Sequence, residues 1–302
     1  MNFLEKNTKW FYFGIIFLIC FNFFVWKEVF YLYKNSELKV NFLNVGQGDS
    51  AFVVTPQNHQ ILIDGGPDST VLGKIAKQMP FWDKSLDLVI LSHPEKDHMQ
   101  GLIEVLKRYK VNYIVWSGVK KQDAEYLEWL KVLIKQQKMG AKIITAQVEQ
   151  EIKVGNLLID ILNPKENLFG RDAGSSSNDT SVVAKLIYGK NSFLFTGDID
   201  AKAEADLIAK FSGDVGHPPI LSLKSDVLKV AHHGSKYSTT DIFLESVKPS
   251  AAVIEVGKNT YGHPTPEAIL RLKNIGAKIL RTDQLGDIVF KSNGQNLFLL
   301  KP

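Results

Sequence analysis

The sequence predicts an α/β protein, a four-layer αββα sandwich preceded by one N-terminal transmembrane helix. Three observations lead there. An uncharged apolar run fills much of the first 35 residues; the rest of the chain interleaves strand-like and helix-like runs in two comparable halves; and several apolar runs end abruptly in His or Asp. Two packed sheets with helices on their outer faces satisfy the second observation, because each sheet and each helix must bury one apolar side. The expected division is an anchor over residues 1–35 and a single domain over 36–302.

From Trp10 to Trp26 the chain reads WFYFGIIFLICFNFFVW, without a charge. Its length approaches the ~20 residues that cross a hydrocarbon core, and Trp10, Tyr12, Trp26 and Tyr31 sit near its ends, where amphipathic rings favour the headgroup layer. A cleaved signal peptide is shorter and ends in small residues; no Ala-x-Ala pattern occurs here. The expectation is a retained single-pass anchor in the cell membrane. Lysines flank both sides, and the slight bias places the amino terminus inside and the large domain outside the cell.

With 302 residues, 45% hydrophobic and 23% charged, the chain is globular rather than disordered. A net charge of +4 neither demands nor excludes a polyanionic substrate. Cys20, the one cysteine, excludes an intrachain disulfide and a cysteine zinc site, and it reads as a buried hydrophobe. Any metal must therefore be held by His and carboxylates.

The domain opens with alternation through Leu38–Leu43, as in a half-buried strand, and turns at Gly46–Ser50 and Pro56–His59 make the start antiparallel. Asp64-Gly65-Gly66 closes the third strand, and Thr70–Gln78 reads as a helix. Strands follow at Leu88–Leu91, Tyr113–Trp116, Lys142–Thr145, Leu157–Leu162, Ser181–Tyr188 and Ser192–Phe195, with a helix at Asp123–Gln137. The second half carries helices at Ala201–Phe211, Thr240–Val247 and Pro266–Ile275. Its strands are Val227–Val230, Ala251–Glu255, Lys278–Arg281, Asp287–Lys291 and Leu297–Leu299. Gly170–Asn178 is a polar, Ser-rich loop of the kind that binds ligands.

The chemistry concentrates at strand ends. The apolar run Asp87–Leu91 feeds into Ser92-His93-Pro94-Glu95-Lys96-Asp97-His98, two imidazoles and two carboxylates within six positions. Such groups need a cation or water, and Zn²⁺ or Mn²⁺ accepts this mixture of nitrogen and oxygen donors. Taken alone, the segment also reads as a solvated polar loop. Phe193–Phe195 ends in Thr196-Gly197-Asp198, and Val227–Val230 ends in Ala231-His232-His233-Gly234-Ser235. Three strand ends presenting His or Asp suit a site of two ions, assembled from loops at one edge of a rigid scaffold.

Seven ordered segments resemble the metallo-β-lactamase superfamily, and within it the soluble hydrolase domain of ComEC-type competence proteins. They are Phe42–Ser50, Ile63–Gly66, His93–His98, Asn178–Ser181, Thr196–Asp198, His232–Ser235 and Tyr261–Pro264. The resemblance covers about residues 38–300 and leaves out the channel part of ComEC. It implies two divalent ions, Zn or Mn, with His93 and Glu95 on one, Asp97, His98 and His232 on the other, and Asp198 bridging. No histidine lies between His98 and Asp198, where superfamily members usually supply a further ligand; Asn178 or Asp179 stands there instead. Glu95 replaces the Asp usual in this branch, and Gln100 a common Gly.

The implied activity is hydrolysis of a nucleic-acid phosphodiester by a metal-activated water, at the cell surface and linked to DNA uptake. Asp97 would orient the water, and His233 or His263 would stabilise charge or protonate the leaving group. Ser235 joins Asn178 and Asp179 as a substrate contact, and Lys229, Lys236 and Lys258 are candidate phosphate contacts. Asp64 is expected to form the turn or orient a ligand, His263 to face substrate or to cap the helix that follows, and His59 and His217 to lie on the surface. Two other readings share these residues: hydrolysis of a small ester, lactone, thioester or β-lactam, and a non-catalytic domain that binds DNA or a membrane partner.

Overall fold

The computed structural model describes residues 2–34, 37–174, 177–211 and 222–300. His217, part of the Ser-rich loop and the expected boundary at 35–36 lie outside the described residues. A single helix, α1 (Asn2–Lys34), carries the apolar window Trp10–Lys27, no part of which is buried by protein, and Cys20 is exposed on it.

The first half comprises β1 (Leu38–Phe42), β2 (Ala51–Val54), β3 (Gln60–Ile63), α2 (Thr70–Ala76), β4 (Ser85–Leu91), α3 (Lys96–Arg108), β5 (Lys110–Trp116), α4 (Ala124–Lys138) and β6 (Lys142–Thr145). The second comprises β7 (Glu151–Val154), β8 (Leu157–Asn163), β9 (Val183–Tyr188), β10 (Asn191–Phe195), α5 (Ala201–Phe211), β11 (Val227–Lys229), α6 (Asp241–Val247), β12 (Ala251–Ile254), α7 (Pro266–Asn274), β13 (Lys278–Arg281), α8 (Thr282–Leu285), β14 (Ile288–Ser292) and β15 (Leu297–Leu300).

An eight-stranded sheet has the order β15-β14-β1-β2-β3-β4-β5-β6, and a seven-stranded sheet the order β13-β12-β11-β10-β9-β8-β7. Hairpin-linked strands pair antiparallel, whereas β3 to β6 and β10 to β13 run parallel because helices connect them. Val40, Phe42, Leu88, Ile90, Ile159, Ile161, Phe193 and Phe195 fill the space between the sheets, in keeping with the two-residue repeat of a strand. A second apolar cluster packs α3 and α4 onto the first sheet, and a third packs α5, α6 and α7 onto the second. This is the four-layer sandwich expected.

Thr240 and Thr265 cap α6 and α7 by accepting from Phe243 and Ala268 N–H, and Asp123 caps α4 likewise. The sequence pattern assigned no element to α3, β7 or α8. In α3 the buried Met99, Leu102, Ile103, Val105 and Leu106 recur at helical spacing, but the helix starts inside the ligand cluster.

One buried carboxyl lies away from any strand-end motif. Asp160 on β8 is 2% exposed, with one oxygen lacking a partner, opposite Lys185 on β9. Burial, then Glu151, pushes its pKa up to about 6, whereas an unfolded Asp titrates near ~3.9. The folded chain therefore holds a proton that the unfolded chain releases between about pH 4 and pH 6, so this group's stabilisation is complete at the acid end and lost on rising through that window. Asp160→Asn should gain urea-midpoint stability relative to the parent as pH rises from about 4 to about 6. A difference independent of pH would contradict the shifted carboxyl.

Candidate metal centre

The site assembles where β4, β10, β11 and β12 end and where β1 turns into β2, outside the carboxyl ends of parallel strands, the usual place for ligands in such sheets. Ser92 follows β4 and donates from its N–H to Asp64 Oδ1 (2.7 Å) and from its hydroxyl to Oδ2 (2.6 Å). The same Oδ2 lies 2.9 Å from His98 Nδ1. Asp64 thus fixes the ring of His98 and leaves Nε2 toward the site, as carboxylates do for metal-binding histidines. His98 and Asp97 occupy the first turn of α3, and His93 lies between that turn and the strand, with its ring centroid 4.2 Å from that of His98.

Gly48 brings in a carboxylate that the sequence reading named only within a motif. Its φ is +145°, and a Cβ there would collide with the Asp97 carbonyl. Without that atom, the loop lies against α3, and Asp49 donates its N–H to Asp97 O (3.2 Å). Asp49 is buried beside Lys229 on β11, whose ammonium contacts its carboxylate directly, lies 3.3 Å from Asp198 Oδ1 and donates to Gly197 O (2.8 Å). Lys229 is 2% exposed, so it cannot meet a phosphate at the surface as expected; it is the internal counter-charge of the site. Its place within the otherwise apolar run Val227-Leu228-Lys229-Val230 could have signalled this.

After β11 the backbone turns sharply, and His232 and His233 both adopt left-handed conformations (φ 50° and 52°), at a cost on the order of 1–2 kcal/mol each. Gly234 completes the turn. The strain brings His233 inward: Nδ1 donates to Glu255 O (2.8 Å), and Nε2 lies 3.2 Å from Asp97 Oδ2 and 3.4 Å from Asp198 Oδ2. His232 is less enclosed, with Nε2 4.0 Å from Asp198 Oδ2 and Nδ1 3.4 Å from Asn178 Nδ2.

Donor atoms of Asp49, His98, Asp198 and His233 all lie within 4.8 Å of one another. Among the described residues, His93 Nε2 is buried without a hydrogen-bond partner, and His98 Nε2 and Asp49 Oδ1 face Asp198 Oδ1 and His233 Nδ1 at 3.3 Å without a well-formed hydrogen bond. Buried polar atoms are rarely left so unless something else satisfies them, and imidazole plus carboxylate suits a divalent cation. The residues therefore fit a metal.

The protein's own charges balance one another across the site. Burial opposes ionisation of Asp198, yet His233, His98 and Lys229 hold its pKa well below the carboxylate range. For His233, burial is outweighed by Asp198 and Asp49, and its pKa is pushed up to about 10. Burial, and then the neighbouring His98, pushes His93 down to about 3, leaving it neutral near pH 7, the form that binds metals.

Not every expected residue joins. Glu95 is held by Lys121 Nζ (2.8 Å) and by the Ser177 hydroxyl (2.6 Å). Asp179 is exposed and shares a hydrogen bond with Asp200; burial and that partner push its pKa up to about 6. Ser235 is buried, with its hydroxyl accepting from Tyr237 N–H (3.3 Å). His59 is surface-exposed in part and pairs with Asp87 (3.2 Å). A cleft of about 580 Å³ leads to the centre, lined by Asp97, Asn178, His232, Lys258, Tyr261 and His263, among others. His263 lies against His232 (ring centroids 5.5 Å), while Thr265 performs the capping.

Fold and site together define the class: the chain belongs to the metallo-beta-lactamase superfamily, which residues 43–257 match, and so to the metal-dependent hydrolases of that fold. It is 30% identical over 275 residues to ComE operon protein 3 of Bacillus subtilis, covering 85% of this chain and 33% of that one. It is also 30% identical over 256 residues to competence protein ComA of Neisseria gonorrhoeae, covering 84% and 32%. The chain thus spans about a third of the length of these relatives. A solved metallo-beta-lactamase fold protein, YhfI of Bacillus subtilis, superposes with a TM-score of 0.54 at 15% identity, over 85% of this chain and all of that one.

The buried ammonium makes a direct prediction. Lys229→Met leaves Asp49 and Asp198 short of positive charge, and guanidinium denaturation of the metal-free chain should show a loss of about 3–5 kcal/mol. A loss below about 1 kcal/mol would mean that the carboxylates do not depend on this cation.

Proposed function

We propose that this chain is a membrane-tethered phosphodiesterase acting on nucleic acid at the outer cell surface, with its domain over residues 36–302. The observation that carries the reading is the convergence of buried imidazole and carboxylate donors from Asp49, His98, Asp198 and His233, with the unpartnered His93 Nε2 beside them, beneath an open cleft. Two Zn or Mn ions are the proposed cofactors. His93, Asp97, His98, Asp198 and His232 are the proposed ligands, with Asp49 and His233 within reach of the same space. Glu95 enters this set only by leaving Lys121 and Ser177.

When bound, such ions supply an activated water and polarise the scissile group. The protein does the rest. Asp64 and the Glu255 carbonyl fix which nitrogen His98 and His233 turn inward. Asp97, 3.2 Å from His233 Nε2, would orient a water, and His263, which lines the cleft, would give a proton to the leaving oxygen. At the rim, Lys258 and the exposed Tyr261 offer a cation for phosphate and a ring for base stacking. Asn178 is a substrate or weak metal contact, whereas Asp179 and Ser235 act through the loops they brace. Similarity to competence proteins supports a nucleic-acid substrate and a link to DNA uptake.

Full-length chain in detergent, loaded with Mn²⁺ or Zn²⁺, is expected to cleave single-stranded DNA and a chromogenic phosphodiester, to spare a chromogenic β-lactam, and to stop with chelator. Turnover of the β-lactam alone would reassign the substrate; no turnover of any, with no bound metal, would leave a binding domain. Asp198→Ala and His98→Ala should each lower kcat by at least ~10²-fold and release metal. Glu95→Gln should keep metal content nearly unchanged, since its carboxylate is held elsewhere. Stoichiometric loss of one ion in that variant would restore Glu95 as a ligand.

A further inference from the structure

The end of the sandwich opposite the metal centre carries a surface that catalysis does not use. Between α2 and β4, Phe81 and Trp82 are 79% and 53% exposed, with their rings packed edge to face at 4.8 Å. Lys77 and Lys84 flank them, and Lys110 and Lys142 begin the next two strands; all four are exposed and have no acidic partner among the described residues. They are neighbours in space, because Ser85 pairs with Lys110 and Tyr113 with Lys142. Lys84 and Lys142 rest over the rings of Tyr109 and Tyr113 at 5.5 and 5.4 Å. Lysines near helix C-termini complement helix dipoles, but no dipole accounts for an exposed aromatic pair.

Chain geometry says what this end faces. Helix α1 ends at Lys34 and β1 begins at Leu38, so four residues keep them within about 14 Å. Leu38 starts β1 at the end remote from the site, because the strand runs toward the Gly46–Asp49 loop. Strand β4 is three places along the sheet from β1, about 14 Å at ~4.8 Å per strand. If α1 crosses the bilayer, as the function proposed above assumes, Phe81, Trp82 and the lysines lie at the membrane surface.

We propose that this end of the domain docks on the anionic lipid surface of the membrane that holds α1, with Phe81 and Trp82 entering the headgroup layer and Lys77, Lys84, Lys110 and Lys142 meeting lipid phosphates. Aromatic rings settle at the interface, and lysines within a Debye length are drawn to anionic headgroups. Nucleic acid is the poorer occupant, since the cleft that would cut it opens at the other end, a strand length away. Docking points the cleft away from the bilayer, so that a long polymer reaches it unobstructed.

The test uses the full-length chain with Cys20→Ser and Phe81→Cys, labelled with an environment-sensitive nitrobenzoxadiazole probe. It is placed in nanodiscs of phosphatidylcholine alone or mixed equally with phosphatidylglycerol. The mixture should shift the probe's emission to the blue and lower iodide quenching several-fold. A probe at Ile242→Cys, exposed at the site end, should not respond. Adding Lys84→Glu and Lys110→Glu should abolish the effect, while the lipid comparison on the parent stands independently of how those variants fold. Flotation with vesicles separates the assumptions: a chain that does not float overturns both the anchor and this inference. One that floats, with position 81 as quenchable as position 242 in both lipids, overturns docking alone. So does a probe that answers to added oligonucleotide, or to protein concentration, but not to phosphatidylglycerol.

Discussion

The pairing of buried carboxylates with buried cations at the seam between the two sheets is the constraint on which the site depends. Asp198 arrives from one sheet and Asp49 from the other, both buried, and neither would remain ionised in a dry interior alone, while Asp97 is half-exposed beside His233. Lys229, His98 and His233 supply the positive charge. Because the anions and cations come from distant parts of the chain, the interaction joins the two halves, as do the aromatic contacts of Phe42 with Phe195 and Phe290 deeper in the core.

That arrangement explains how the fold prepares a site and not merely a core. Each histidine that turns an unpartnered or acid-facing nitrogen inward is locked through its other nitrogen: His98 by Asp64, His233 by the Glu255 carbonyl. The strained turn at His232 and His233 persists because β11 before it and α6 after it hold its ends. Rigid strands place the donors, and the looser rim at Lys258–His263 leaves room for substrate. The strained turn at His232 and His233 thus lies where the chemistry is expected.

Much of this was legible beforehand, for reasons that are local. An apolar run that ends in His-Pro-Glu-Lys-Asp-His announces a strand leading to a polar edge, and Thr240, Thr265 and Asp123 mark helix starts by their capping chemistry. Helix α3 escaped notice because its first turn is also the ligand cluster, so its apolar stripe begins only at Met99. Lys229 was misjudged because a lysine near a strand end reads as solvated until a buried carboxylate is known to face it. The sequence does not show that Glu95 and Asp179 meet Lys121 and Asp200, since those partners are set by loop conformation.

The sequence by itself determined the anchor-like apolar helix, the layered class of the domain and the strand ends at which chemistry gathers, because these follow from periodicity and composition within a few residues of each position. Tertiary structure alone decided which charges share the buried space. Whether Asp49, Lys229 and His233 join His98 and Asp198, and whether Glu95 turns aside, depends on contacts across 26 to 184 positions of chain. Electrostatic energy in a low-dielectric interior is fixed by distance in space, and sequence spacing does not carry that distance.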